Sequence, residues 1–173
     1  MNQGHSNSAG TAAAPPKAAL QAAAGKYLIF NLANEEFGIQ ILKIREIIGL
    51  QDITFVPHTP VCVKGVINLR GKVIPVIDLR LKFEMPSTEY NERTCIIVIS
   101  VSTQDGAVLT GVVVDSVSEV VNIAAADIEE SPDFGDRSEG NYLLGMAKVK
   151  GKVKILLNIE RVLATHAVLP SLH

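Results

Sequence analysis

The segment from Gly65 to Leu79 constrains the fold more than any other part of this sequence. Two runs rich in Val and Ile flank Arg70-Gly71-Lys72, and Gly71 can adopt the positive φ angle that a tight reversal needs. The segment therefore predicts a β-hairpin. Pro75 has no N–H to donate to a ladder, so its strand is expected to lie at a sheet edge or to be bulged there.

The hairpin segment recurs later in the chain. A shift of 80 positions places Gly65 on Gly145, and the following matches include Arg70 on Lys150, Gly71 on Gly151, Lys72 on Lys152 and Asp78 on Asn158. A shift of 73 positions places Gly38 on Gly111, Ile44 on Val117, Glu46 on Glu119 and Ile47-Ile48 on Val120-Val121. Two echoes in the same order predict two related β-rich units, one over residues 26–87 and one over residues 93–165.

The remaining pattern predicts short strands with little helix. Strands are predicted at 27–32, 37–50 with a break near 42–43, 53–56, 94–101 and 107–115, with turns at 34–36 and 105–106, a linker at 85–91, a loop at 131–140 and the second hairpin at 142–157. Short helices are predicted at 60–64 behind Thr59, at 79–83 behind Asp78 and at 159–167 behind Asn158.

Composition indicates how such units are stabilised. The chain has 173 residues, is 47% hydrophobic and 5% aromatic, and contains no Trp, so its core must consist of Val, Ile and Leu. The pattern is typical of small all-β barrels. A unit of roughly 60–70 residues is marginal alone, so each is expected to bury an apolar face against the other. Whether the two units exchange strands stays open.

Several classes of protein are disfavoured. A net charge of −2 gives no electrostatic reason to bind nucleic acid, and no apolar run is long enough to span a membrane. The four His and the two Cys, Cys62 and Cys95, lack metal-ligand spacing, so no metal or cofactor is expected. Asp115 is a conceivable general base, but a carboxylate that ends a strand is more often a turn or cap residue.

Residues 1–24 are predicted to form a disordered tail.

The hairpin motif, with Asn68, Leu69, Arg70 and Gly71 at its centre and Val73, Pro75, Val76, Asp78 and Leu79 after it, resembles the signature of the bacterial chemotaxis coupling proteins, the CheW family. The likeness extends over residues 25–165. It implies an all-β fold of two SH3-like five-stranded β-barrels that share a hydrophobic core. It also implies a cytoplasmic, non-enzymatic adaptor that links chemoreceptors to the histidine kinase CheA and does not insert into the membrane itself.

The resemblance further implies a receptor-binding groove between the barrels. Its residues are Ile44, Glu46, Gly65, Arg70, Cys95 and Ile96. Family members commonly have an aliphatic residue where this chain has Cys95. Each residue also has a structural interpretation: Ile44 as core, Glu46 as a solvated charge, Gly65 as a backbone requirement and Arg70 as a brace for its turn. A small-molecule or peptide-sensing barrel is the alternative function.

Overall fold

The computed structural model describes residues 21–129 and 142–164. The strands in these ranges are β1 Gly25–Leu32, β2 Glu35–Gln40, β3 Ile44–Gly49, β4 Val63–Leu69, β5 Lys72–Asp78, β6 Cys95–Thr103, β7 Gly106–Val114, β8 Ser116–Ile123, β9 Ile128–Glu129, β10 Leu143–Val149 and β11 Lys152–Leu157. The short helices are α1 Leu79–Lys82 and α2 Ile159–Ala164, and Ile41–Lys43 and Ala125–Asp127 are single 3-10 turns.

The strands form two sheets, and each sheet takes strands from both halves of the sequence. Sheet A has the order β8-β1-β2-β11-β10-β9, and sheet B has the order β3-β6-β7-β5-β4. Strands β1 and β2 come from the first half of the sequence but lie in sheet A with β8 to β11 of the second half. Strands β6 and β7 come from the second half but lie in sheet B with β3 to β5 of the first half. The units predicted over residues 26–87 and 93–165 therefore exchange strands, a possibility that the sequence left open.

Strands β1 and β6, which each lie in the sheet formed mainly by the other half of the sequence, are buried on both faces. In β1, Leu28 and Phe30 pack into a cluster that both sheets line, whereas Tyr27 and Ile29 pack into a cluster within sheet A. The side chains of β6 also alternate between two clusters. Ile97 and Ile99 pack into the cluster that both sheets line, and Ile96 and Val98 pack into a cluster within sheet B. This pattern confirms the expected shared hydrophobic core and explains why these segments read as continuous apolar runs.

Both predicted hairpins are present, and both turns have the same backbone. Arg70 and Gly71 have φ angles of 52° and 88°, and Lys150 and Gly151 have φ angles of 55° and 81°. Positive φ at both central residues is the feature of a type I′ turn, whose twist matches that of the flanking strands. The sequence predicted this conformation for Gly71 but not for Arg70.

The position of Pro75 differs from the expectation. Its strand β5 lies between β4 and β7, so it is not an edge strand. Pairing with β7 begins only at Val76, and Val66, opposite Pro75, exchanges its backbone hydrogen bonds with Thr54 instead. The missing N–H of Pro75 therefore falls where the ladder does not require a donor.

Several local predictions are wrong. Residues 53–56 make one bridge, between Thr54 and Val66, rather than a strand. No helix forms at 60–64, because the N–H of Val63 bonds to the carbonyl of Pro60 in a single turn and β4 then begins. The first β-turn occupies 33–34 and the later one 104–105, each one residue or more before its predicted place. The predicted loop at 131–140 and the end of the helix predicted to reach residue 167 lie outside the described residues.

The two helix caps are confirmed. The carboxylate of Asp78 accepts hydrogen bonds from the backbone N–H groups of Arg80 and Leu81, at 2.9 and 3.3 Å. The side chain of Asn158 accepts from the N–H of Arg161 at 3.2 Å. Each hairpin thus leads directly into a capped helical turn.

The ordered fold begins before the predicted boundary at residue 24. Residues 21–23 are helical, and Ala23 is only 4% exposed in the cluster within sheet A. The hydroxyl of Tyr27 donates to the carbonyl of Ala23 at 2.5 Å, and burial raises the pKa of Tyr27 to about 12. The tail prediction is therefore wrong for Ala23, and residues 1–20 lie outside the described part of the chain.

Candidate partner-binding surface

Glu46 and Arg70 form a two-bond ion pair on the surface of sheet B. Arg70 Nη1 lies 2.6 Å from Glu46 Oε2, and Arg70 Nη2 lies 2.6 Å from Glu46 Oε1. The Arg70 side chain is 71% exposed and the Glu46 side chain is 25% exposed. A guanidinium fork that meets a carboxylate in this way fixes the orientation of both groups. Arg70 therefore bonds a side chain, whereas the alternative interpretation had it bracing its own turn through backbone carbonyls.

The pair joins the two edges of sheet B. Glu46 lies on β3 at one edge, and Arg70 lies in the turn after β4 at the other edge. The hydrogen bonds from Arg70 lower the pKa of Glu46, and the same bonds raise the pKa of Arg70. Both groups are therefore charged at neutral pH, and the ion pair connects the two edge strands of sheet B.

The other motif residues hold the turn. The side-chain oxygen of Asn68 accepts from the N–H of Gly71 at 2.8 Å. Leu69 is buried in the cluster within sheet B and anchors the end of β4. Asn68, Leu69 and Gly71 thus hold the turn that presents Arg70 to the surface, and Asn68 and Gly71 are themselves exposed.

A second ion pair repeats this arrangement in sheet A. Lys150, in the turn after β10, lies 3.4 Å from Glu119 on β8 through a single contact. Their side chains are 73% and 36% exposed. The two sequence echoes place these residues on Arg70 and Glu46, so the structure confirms that the echoes reflect equivalent positions. The single long contact of a lysine restrains the carboxylate less than an arginine fork does.

Two of the predicted groove residues can offer a side chain to a partner beside this pair. Ile44 is half-buried on β3 and packs against the cluster that both sheets line. Cys95 is half-buried at the start of β6, opposite Gly49, and its thiol donates to the carbonyl of Arg93 at 3.3 Å. Ile44 therefore packs partly as a core residue, and its role as a contact residue stays a prediction.

Gly65 and Ile96 are corrections to the predicted groove. Ile96 has no exposed surface and fills the cluster within sheet B, so its side chain cannot touch a partner in this conformation. Gly65 is buried with a φ angle of 142°, and a Cβ there would collide with the carbonyl oxygen of Thr54. Its role is to let the loop chain approach β4, as the backbone interpretation holds.

Exposed apolar side chains on sheet B were not identified from the sequence. Ile47 is 42% exposed on β3, next to Glu46, and Val73 is 62% exposed on β5, three residues after Arg70. Their counterparts under the two echoes, Val120 and Val153, are 52% and 50% exposed. The sequence pattern could have indicated this exposure. Each of these residues precedes one that points inward, and successive side chains of a strand point to opposite faces.

Within residues 21–129 and 142–164, no group of three His, Cys, Asp or Glu side chains is arranged to hold a metal ion. Asp115 is held by Arg80 and by the N–H of Ala33, as expected for a turn residue. No helix of the described ranges is long and apolar enough to cross a membrane.

The fold and this surface define a class of protein in which two small β-barrels share one core and exchange strands. The family model of the CheW-like domain matches residues 26–167. The chain belongs to the CheW-like domain family.

Named relatives and a solved structure agree with this assignment. The chain is 41% identical over 140 residues to the chemotaxis protein CheW of Klebsiella aerogenes, which covers 81% of this chain and 82% of that protein. It is 34% identical over 139 residues to the protein of the same name from Rhizobium meliloti, covering 80% and 87%. The crystal structure of the scaffolding protein TtCheW from Thermoanaerobacter tengcongensis matches with a TM-score of 0.71 and 33% identity, covering 80% of this chain and 92% of that one. The predicted fold of two SH3-like barrels is confirmed.

Proposed function

We propose that this protein is a non-enzymatic adaptor that couples the cytoplasmic tips of chemoreceptors to the histidine kinase CheA. Relatives that carry the name chemotaxis protein CheW, and a structural neighbour described as a scaffolding protein, support this function. The observation that carries the proposal is the Glu46–Arg70 ion pair, whose two hydrogen bonds orient an exposed guanidinium at the edge of sheet B.

The receptor-binding surface is proposed to consist of Glu46 and Arg70 with the partly exposed side chains around them. Ile44 and Cys95 come from the predicted groove, and Ile47 and Val73 are added from the structure. Arg is a frequent hot spot of protein interfaces, because its stem can pack against apolar side chains while its fork forms hydrogen bonds. A receptor helix that presents apolar residues beside a carboxylate or carbonyl acceptor suits this composition.

The kinase is proposed to bind elsewhere on the barrels. An adaptor must hold both partners at once, and joining two weak contacts in one assembly raises the apparent affinity through effective concentration. We expect receptor and kinase to bind simultaneously, and the protein to reach the membrane only through its receptor partners.

The interior of the barrels disfavours the alternative of a small-molecule sensor. Ile67, Val76, Ile96 and Val98 are at most 2% exposed and fill the space within sheet B. A ligand would have to displace packed side chains there. The packed interior of sheet B therefore argues against a ligand site there.

Co-sedimentation with receptor-bearing membranes tests the proposal. Kinase should sediment with the receptors only when this protein is present, and saturating receptor fragment should not release the kinase from it. Mutual exclusion of receptor and kinase at saturating concentrations would contradict the bridging function. A thermal shift caused by a small ligand without either partner would favour the sensor.

A further inference from the structure

Within the described residues the chain passes from one sheet to the other twice, and each passage carries an ion pair to a short helix. The first passage is Ile41–Lys43, between β2 of sheet A and β3 of sheet B. Lys43 Nζ there lies 3.2 Å from Glu160 Oε2 on α2. The second passage is Asp115, between β7 of sheet B and β8 of sheet A. Its carboxylate receives Arg80 of α1 through two bonds, at 2.8 and 2.6 Å.

The two ion pairs occupy corresponding positions, offset by one residue at the passage, with their charges reversed. The 80-residue echo places Arg80 on Glu160, so the helix contributes a cation in one case and an anion in the other. The 73-residue echo places Leu42, one residue before Lys43, on Asp115. The two halves share little identity here, yet each has a helix charge that meets the opposite charge at a passage. We call the pairs Arg80–Asp115 and Lys43–Glu160 the crossover clasps.

The Arg80–Asp115 clasp contacts both sheets. Asp115 Oδ2 accepts from the N–H of Ala33, in the turn between β1 and β2, at 2.8 Å, and the N–H of Asp115 donates to the carbonyl of Asn31 on β1 at 3.0 Å. Arg80 follows β5 of sheet B and also donates to the carbonyl of Pro86 at 3.0 Å. The Arg80 and Asp115 side chains are 16% and 23% exposed, against 35% and 34% for Lys43 and Glu160.

We propose that the crossover clasps fix the orientation of sheet A relative to sheet B. The apolar cluster between the sheets holds them together, but the hydrophobic effect itself is non-directional. A guanidinium–carboxylate fork has a required geometry, so it selects one arrangement of the packed faces. Arg80, Asp115, Lys43 and Glu160 are thus positioning residues. In the adaptor, and resting on the proposed function, they set the spacing of the receptor-binding and kinase-binding surfaces.

The first test measures the orientation without any partner. Spin labels at Lys72→Cys and Lys152→Cys, both exposed positions beside the two hairpin turns, report the distance between sheets B and A. The background carries Cys95→Ser, while Cys62 is buried. Arg80→Met and Asp115→Asn should each broaden or shift the distance distribution. In Arg80→Met the amide exchange at Ala33 should also accelerate by about tenfold or more, because Asp115 loses the fork that holds it.

The exposed clasp supplies a rescue experiment that does not depend on the folding of the Arg80 variants. Lys43→Glu and Glu160→Lys should each broaden the distance distribution, and the double variant with both changes should restore it. Unchanged distributions in these single variants would overturn the proposal, and so would broadening that the double variant fails to reverse.

A final arm connects orientation to coupling and keeps the two proposals distinguishable. Made in the unlabelled chain with Cys95 retained, the clasp substitutions that broaden the distribution should bind receptor and kinase separately as wild type does, yet lose roughly fivefold or more in binding both together. A broadened distribution with undiminished joint binding would overturn the positioning role. Failure of the wild type to bind either partner would contradict the adaptor function and leave the distance result standing.

Discussion

The guanidinium of Arg70 donates two hydrogen bonds of 2.6 Å to the carboxylate of Glu46, and the pair connects the two edges of sheet B. Lys150 and Glu119 form the corresponding pair in sheet A through one contact of 3.4 Å. The two hairpin turns share their backbone conformation, so the pairs differ in chemistry while their setting is the same. This difference supplies a matched control inside one molecule.

Replacement of Arg70 tests the receptor-binding surface. Arg70→Ala should shift the melting temperature by no more than a few degrees, because an exposed ion pair contributes little to stability. It should weaken receptor binding by about 30-fold, as expected for an interface hot spot. Calorimetric melting and a titration with a receptor cytoplasmic fragment make the two measurements.

Lys150→Ala is the control for a change of charge at a hairpin turn. It should leave both the melting temperature and receptor binding close to wild type. Equal, small effects of the two substitutions would mean that Arg70 is merely solvated. Unfolding of Arg70→Ala would make the residue structural and remove it from the site.

The pKa of Glu46 gives a prediction for acid solution. Hydrogen bonds from Arg70 lower this pKa, so the contribution of the pair to stability is fully present above the ordinary glutamate pKa of about 4.3. It is lost as the pH falls through the lowered folded-state pKa. The difference in melting temperature between wild type and Glu46→Gln should therefore be small but constant near neutrality and disappear in strong acid. A difference that grows on acidification would contradict the assignment of the charged pair.

Gly65 provides a test of the backbone interpretation. Gly65→Ala should destabilise the fold by about 3 kcal/mol or more. The positive φ angle and the collision of the new Cβ with the Thr54 carbonyl oxygen both contribute to this cost. Gly49→Ala is the control, since a Cβ at Gly49 meets nothing within 4 Å. That change should alter stability by no more than about 0.5 kcal/mol. Chemical denaturation measures both, and equal stabilities of the two variants would contradict the argument.

Truncation at the amino terminus tests where the fold begins. Deletion of residues 1–20 is predicted to leave the melting temperature and kinase coupling unchanged. Deletion of residues 1–24 should lower the melting temperature, because it removes the buried Ala23 and the acceptor of the Tyr27 hydroxyl. A large effect of the shorter deletion, or none of the longer one, would contradict this boundary.

The hairpins, the helix caps and the doubled arrangement were predictable because local chemistry specifies them. A glycine at a turn, an Asp or Asn before a helix and alternating Val and Ile act over a few residues. The strand exchange was not predictable, because β1 is apolar on both faces and alternation does not tell which sheet a strand joins. Thr59-Pro60 indicated a helix, but Val61 and Val63 are β-branched and the chain made one turn before β4.

The surface was predictable in part. Glu46 and Arg70 came from the family resemblance, whereas their ion pair joins positions 24 residues apart and has no local signal. The same separation in sequence hid the bond between Arg80 and Asp115, which lie 35 residues apart. The family resemblance placed Ile96 in the groove together with Cys95, but the alternation of β6 turns the Ile96 side chain into sheet B.

Receptor-dependent control of kinase activity tests the central claim most directly. Receptor-bearing membranes, CheA and this protein are combined, and autophosphorylation is followed with each component omitted in turn. The account predicts that kinase activity responds to receptors only when this protein is present, and that Arg70→Ala loses most of this response while Lys150→Ala keeps it. Kinase activity that is independent of this protein at saturating receptor and kinase concentrations would contradict the account.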